Sequence, residues 1–303
     1  MKRKSFKKLF PLIVLAVSFY SCGEGTVEIG QNTYEPKIVI EGYLYPGQKI
    51  ENIRITRNIP LNRRPDPKTL ILFNADVKLV DLQNNEEFKL TFNPQKFSFE
   101  YSGTNLSIGF GKSYKLIVSA KVDEKNLTAS SITTVPQAGF KIIDGLSKTE
   151  PLFYRERDDK GNVKNFSVTF SPSVGTDFYV ISIVSLNASD STFIYDNAYV
   201  EMSREEIKND LEAHKFRLMW LQNINSRSSK IKYDLDWINI WFYGDYRIIF
   251  YAGDNNFKQF VLTYKSVQEF DGNFHEPRMN MQGDGIGIFA SAIADTVYLK
   301  VKK

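Results

Sequence analysis

Two histidines, His214 and His275, are the only imidazoles in the chain, and neither sits in a pattern that does chemistry. No His-Glu-x-x-His, Gly-x-Ser-x-Gly, Walker loop or cysteine–histidine cluster occurs. His214 closes a segment with helical signals, where an imidazolium complements the negative end of a helix, so a capping role is expected. His275, beside Glu276-Pro277, reads as a loop residue. Asp158-Asp159, Asp234 with Asp236, and Asp254-Asn255-Asn256 offer oxygen ligands without EF-hand spacing. Asp and Asn at such places ordinarily serve turn geometry. Gly283-Asp284-Gly285-Ile286-Gly287 has the composition of a phosphate loop, but a phosphate cradle must open into a helix N-terminus. Here Ile288-Phe289 and a strand-like tail come next. The glycines are read as a bend that delivers Ile288 or Phe289 into the core of the second half. The expectation is no catalytic residue, no metal site and no cofactor.

The aromatic run is the ligand candidate. Read as a strand, residues 231–243 place Trp237, Asn239, Trp241 and Tyr243 on one face and Ile238, Ile240 and Phe242 on the other. The aliphatic face belongs in a core. The aromatic face either packs under a helix or stands open to a sugar ring or a partner, so Trp237, Trp241 and Tyr243 form the candidate ligand or partner face. Carboxylate pairs, which a linear sequence cannot match up, leave a glycan- or peptide-processing enzyme as the alternative to a binding protein.

Cys22 is the one cysteine, and its chemistry is of another kind. Residues 1–8 carry Lys2, Arg3, Lys4, Lys7 and Lys8 with no acid, and the apolar stretch Leu9–Val17 is too short to span a bilayer. Residues 1–21 therefore read as a signal peptide. Ser21-Cys22 at its end resembles a lipobox, in which the thiol takes a diacylglycerol and becomes the first residue. An acylated Cys22 leaves no thiol for a disulfide, and no later stretch of the sequence is long and apolar enough for a membrane helix. The lipid would then be the membrane anchor. The net charge of +4 includes the five cations of residues 1–21, so residues 22–303 carry −1, and nucleic acid is excluded as a partner.

Residues 22–33 are small and polar, and read as a lipidated tether. Beyond them, 23 Phe and 16 Tyr favour strands. Asn52–Arg57 alternates with Ile53 and Ile55 on one face, and Ala75–Leu82 places Val77, Leu79 and Asp81 together. About seven short strands precede Val135, which predicts an immunoglobulin-like β-sandwich over residues 34–136. Val135-Pro136-Gln137-Ala138-Gly139 reads as a linker to a second strand-rich domain, residues 137–303. That domain should hold one or two short helices. One starts at the capping box Ser203-Arg204-Glu205-Glu206. The other comes after Asp254 and carries Phe257, Phe260, Val261 and Tyr264 at helical spacing. Gly244-Asp245 is placed as the tight turn of a hairpin. The fold class is mainly β.

Four stretches together resemble one family. Tyr34–Tyr43 (Tyr-Glu-Pro-Lys-Ile-Val-Ile-Glu-Gly-Tyr) lies soon after Cys22, and Thr133-Thr134-Val135-Pro136 stands at the junction. Asp196-Asn197-Ala198 leads to the capped helix, and Met281–Ala290 (Met-Gln-Gly-Asp-Gly-Ile-Gly-Ile-Phe-Ala) lies near the end. They resemble the DUF4249 family of Bacteroidetes lipoproteins over the whole chain after the signal. The family is functionally uncharacterised, so the resemblance implies a location and no activity. It implies an outer-membrane lipoprotein anchored through Cys22, with the cell surface favoured over the periplasmic face, and an outer-membrane, TonB-dependent transporter as a candidate partner. The reading is a binding or accessory component of the envelope, not an enzyme, with a structural envelope protein as a further alternative.

Overall fold

In the computed structural model, residues 34–60, 64, 66–197, 199, 203–209, 211–264 and 279–303 are described. Cys22, the segment before it, the tether and His275 lie outside them. The chain is mainly β. The first half contributes β1 (Ile38–Leu44), β2 (Arg54–Arg57), β3 (Asp76–Asp81), β4 (Glu86–Asn93), β5 (Ser98–Glu100), β6 (Ser113–Val122) and β7 (Lys125–Thr134). The second contributes β8 (Lys141–Ile142), β9 (Leu152–Phe153), β10 (Phe166–Ser171), β11 (Tyr179–Ser185), β12 (Phe216–Leu221), β13 (Ile231–Leu235) and β14 (Gly244–Gly253). The chain closes with β15 (Gln282–Gly283) and the 18-residue β16 (Gly285–Lys302).

Alternation along these strands builds two sandwiches. In the first, Ile38, Ile40 and Leu44 of β1 and Ile55 of β2 face Val77, Leu79, Leu116 and Val118 of β3 and β6 across a buried core. The opposing sheets are β16-β1-β2 and β15-β7-β6-β3-β4-β5. Asp81 does join Val77 and Leu79 on the inner face, where it is buried and accepts from Lys112 Nζ at 3.1 Å and the Gln83 N–H at 2.9 Å. In the second sandwich, β12-β11-β14-β16 packs over β13-β10-β8. Its core is aromatic: Phe170, Tyr179 and Phe250 meet at ring-centroid distances of 5.0–5.6 Å.

Two cores meet near the linker, one drawing on residues up to Val135 together with Phe289 and the other beginning at Phe140. The sheets do not separate there. β16 pairs in parallel with β1 from Ile38↔Gly285 to Leu44↔Ser291, then antiparallel with β14 from Gly253↔Ala292 to Gly244↔Val301. Residues 36–303 accordingly make one compact unit. This partner exchange corrects one expectation: Phe289 fills the first core, not the second. The bend itself is present. Gly283 (φ +76°) and Gly287 (φ +111°) occupy backbone conformations that favour glycine, and a Cβ on Gly287 would fall on the carbonyl of Ile40.

Polar side chains tie the seam together. Ser291 Oγ lies 2.8 Å from Thr133 Oγ1, which donates to Asp254 Oδ2 at 2.7 Å. Thr133 has one hydroxyl proton, so in this chain Ser291 donates to Thr133 and Thr133 to the carboxylate. The other oxygen of Asp254 caps the helix Asn255–Tyr264 by accepting the Phe257 N–H at 2.9 Å. Asn256 Nδ2 then reaches the carbonyls of Ile132 (2.6 Å) and Phe289 (2.9 Å), one on each side of the seam. Burial pushes the Asp254 carboxyl above the usual carboxylate range, against the hydrogen bonds that favour its charge.

The other predicted helix also forms, as Arg204–Asn209 and Leu211–Lys215, with the reciprocal bonds of a capping box between Ser203 and Glu206. The expected hairpin at Gly244-Asp245 does not. β13 ends at Leu235 and pairs with β10, whereas β14 starts at Gly244 and lies between β11 and β16.

Candidate functional site

The segment 236–243 is where the sequence reading and the structure part. After β13 the chain tightens into a 3-10 turn, Trp237–Asn239, with the Asn239 and Ile240 N–H groups donating to Asp236 and Trp237 carbonyls at 3.0 Å. Three residues per turn replace two, so Trp237, Ile240, Trp241 and Phe242 are all buried and Ile238 is 48% exposed. The strand expected over 231–243 forms only as far as Leu235, and the two faces foreseen for 237–243 do not exist. Trp237 stands edge-on to Tyr154 (5.3 Å) and donates Nε1–H to the Lys164 carbonyl at 2.9 Å. Trp241 donates to the Ile238 carbonyl at 2.9 Å, stacks on His214 at 4.4 Å and carries Arg217 Cζ 4.3 Å from its ring centroid. Tyr243 is partly exposed, with its backbone N–H donated to Thr192. Trp237 and Tyr243 share Tyr154 as a neighbour, whereas Trp241 packs separately against Phe193 and His214, and both tryptophans are buried. His214 ends its helix as expected, but its ring serves as a lid on Trp241.

A cleft of about 620 Å³ lies beside this turn. One wall is the loop 147–165, pinned to β10 by reciprocal backbone bonds between Lys148 and Ser167 (2.7 and 3.0 Å). The loop doubles back at Asp158–Gly161, where Asp158 Oδ1 accepts the N–H groups of Lys160 and Asn162. The Asn162 bonds hold the Asp158 carboxyl below the usual range, so this acid is engaged in making the turn. Lys164 pairs with Glu156, and Lys232 with Asp234 at 2.6 Å, on the cleft's other flank. Among the described residues Lys148 and Glu150 have no ion-pair partner, which leaves one ammonium and one carboxylate at the mouth for an incoming group. A second hollow of about 320 Å³ shares Val163 and Asn165 with the first and reaches Trp237, Ile238 and Tyr199, the last with Arg155 Cζ 5.7 Å from its ring centroid. The arrangement can hold a polar or zwitterionic group at one end and an apolar or ring-shaped one at the other.

None of Lys148, Glu150 and Tyr199 stood out in the sequence. The only signal for Lys148 and Glu150 was the charged composition of residues 148–164, which reads equally well as a solvated loop, and Tyr199 had none. Cys22 lies outside the described residues. Among the described residues no helix is long and apolar enough to cross a membrane, which says nothing of strands.

Comparison with solved structures finds only slight likeness. A tetra-tandem repeat in the extending region of a large adhesion protein matches at 10% identity and TM-score 0.23, over 88% of this chain and 49% of that one. A bacterial ice-binding adhesin matches at 8% identity and TM-score 0.21, over 88% and 64%. The FN1–FN3 domains of chicken CNTN1 match at 10% and 0.19, over 86% and 65%. The chain thus spans between half and two thirds of the length of these structures, and likeness this slight carries no argument about function. Among curated proteins none matches the chain. The family model described as a domain of unknown function, DUF4249, matches residues 24–295, and the chain belongs to that family.

Proposed function

We propose that this protein is an outer-membrane-anchored binding or accessory lipoprotein, held by a lipid on Cys22, which engages a polar ligand or a partner's exposed loop through the cleft of its second sandwich. The observation that carries the binding role is the open cleft with Lys148 and Glu150 lacking ion-pair partners among the described residues, while Lys164 and Lys232 are paired and Asp158 is engaged in its own turn. A surface charge without a counter-charge is cheap to leave in water and gains most when a complementary group displaces that water. The anchoring role is supported by the sequence around Cys22 and by family membership, and surface exposure beside a TonB-dependent transporter belongs to the same reading.

Two measurements test it. Cys22→Ala should move the protein from the membrane fraction to the soluble one, because the acyl chains supply roughly 0.8 kcal/mol per buried CH₂. A variant that still pellets after a high-salt wash removes the lipoprotein reading. For the cleft, the native protein and the doubly charge-reversed Lys148→Glu/Glu150→Lys should be purified in parallel from membranes. Both positions are at the surface, so the fold is expected to survive within about 0.5 kcal/mol. Material that accompanies the parent and is lost from the variant identifies the ligand or partner; equal recovery would show that the cleft is not the site.

A further inference from the structure

The loop 147–165 lines two adjoining hollows, and each holds a cation and an acid that make no ion pair and no side-chain hydrogen bond among the described residues. In the larger, of about 620 Å³, they are Lys148 and Glu150. In the smaller, of about 320 Å³, they are Arg155 and Asp236. Asn165 lines both hollows, and among the described residues its side-chain amide makes no hydrogen bond either. The backbone of Arg155 sits at φ +51°, in the left-handed region that residues other than glycine adopt at a cost. Its neighbours impose that conformation: Tyr154 packs edge-on to Trp237, and Glu156 pairs with Lys164. Strain that the surroundings enforce is concentrated at sites that bind or react.

We propose that the ligand of this cleft is a short, free oligopeptide carrying both signs of charge, laid across the two hollows. The inference rests on the reading of the cleft as the binding site. Charge narrows the ligand first. Glu150 and Asp236 oppose a polyanion, and Lys148 and Arg155 oppose a polycation, so a ligand that satisfies all four carries both signs in two places. A single amino acid has one ammonium and one carboxylate; a chain of several residues adds its side chains to these. The rings argue against a glycan. Trp237 is 4% exposed with Tyr154 and Phe166 against it, and the Tyr199 ring already holds the Arg155 guanidinium, so both are poor platforms for stacking a sugar. The Asn165 amide offers a donor and an acceptor, as a peptide group does in return. Size narrows the source. Hollows of this kind fall in the small-ligand range of about 300–1,000 Å³, whereas a docked protein covers about 800 Å² on each partner. The occupant is therefore a free chain of a few residues and not a folded neighbour.

The test uses the native protein, purified in detergent and immobilised, with a tryptic digest of serum albumin as the probe and maltoheptaose as the sugar control. Nearly every tryptic peptide carries an N-terminal ammonium, a C-terminal carboxylate and a terminal Lys or Arg. The digest should be retained about tenfold or more over a support without protein, and about tenfold less once its amines are acetylated, which removes their charge. Salt at about 1 M, where the Debye length is about 3 Å, should release it. Arg155→Gly and Asp236→Ala should each lower retention about tenfold without lowering the melting temperature. Glycine accepts the φ of residue 155 freely, and the Asp236 side chain makes no cap bond to the turn that follows it. A digest that passes unretained overturns the proposal, and so does maltoheptaose held more tightly than the digest. Retention that Arg155→Gly and Asp236→Ala both leave intact overturns it too, since the peptides would then be bound elsewhere. The two readings can be told apart. If Lys148→Glu/Glu150→Lys loses material that accompanies the parent while the digest is not retained, the peptide assignment fails and the cleft stands; if that variant loses nothing, both fail.

Discussion

The first sandwich presents charged ladders where the second presents rings and aliphatics. On the outer face of β3 and β4, Lys78 pairs with Glu87 and Lys89 with Asp76; at the β5 edge, Lys96 reaches both Glu51 and Glu100. Exposed pairs of this kind add little stability. What they do is make that surface unfavourable for a second strand to dock on. The second half keeps an apolar edge at β12 and an incompletely paired cleft beside Trp237. Two sandwiches of similar construction thus differ in surface: one edge carries paired charges, and the other half carries an apolar edge strand and a cleft with charges left without ion pairs among the described residues. β16 runs through both, so the two are expected to unfold together.

The sharpest way to break this comparison is at the seam. Gly287→Ala demands a strained φ and drives a methyl into the Ile40 carbonyl, so the β1–β16 pairing should fail at a cost of about 4 kcal/mol or more. Hydrogen exchange should show protection lost first at β1 and β2. A Gly287→Ala variant melting with the parent would mean that the parallel seam does not close the first sandwich. Next in size are the paired truncations Phe289→Ala and Leu299→Ala, on one strand but in different cores, each costing about 2–5 kcal/mol. Both should unfold in a single urea transition, because β16 links the cores. Two separated transitions in either variant would make the halves independent after all.

Smaller effects sharpen the picture. Thr133→Val keeps the shape but leaves Asp254 Oδ2 and Ser291 Oγ each without its Thr133 partner, which should cost about 1–3 kcal/mol. Asp254 gives the smallest effect and a signed one. Its carboxyl is raised in the folded protein, so the stability it contributes is fully present at low pH and is lost as pH rises through the folded value. Asp254→Asn retains a capping oxygen and cannot ionise. The stability of the variant relative to the parent should therefore increase as pH rises from the acid side towards neutrality. A difference that stays flat, or runs the other way, would show that the buried acid is neutral throughout or better paired than its surroundings suggest.

Much of the local structure was legible because its causes are local. Ile53 and Ile55 alternate and are both buried, Ser203 and Glu206 form their capping box, and the helix at Asn255–Tyr264 starts where Asp254 can cap it. Glycine at 283 and 287 marked a bend for a steric reason that holds in any context. Partnership was not legible. Periodicity says which face of β1 is buried and nothing about the strand beside it, so the pairing of Ile38 with Gly285 left no trace in the sequence. The candidate site suffered most. A run of alternating aromatics imitates a strand, and only the tertiary packing of Trp237 under Tyr154 and Trp241 under His214 shows that the chain coils there instead. The cleft depends on where loop 147–165 is pinned, and Lys148 gave no warning that its backbone would be the pin.

β1 lies near the beginning of the chain and β16 at its end. A polypeptide made N-terminus first must hold Ile38, Ile40 and Leu44 without their neighbouring strand until β16 is made. The half that is synthesised first thus waits for a strand made long after it. Closure then requires the ends of the chain to find one another, a slow, high-contact-order event. Until it happens the apolar face of β1 lacks its neighbouring strand.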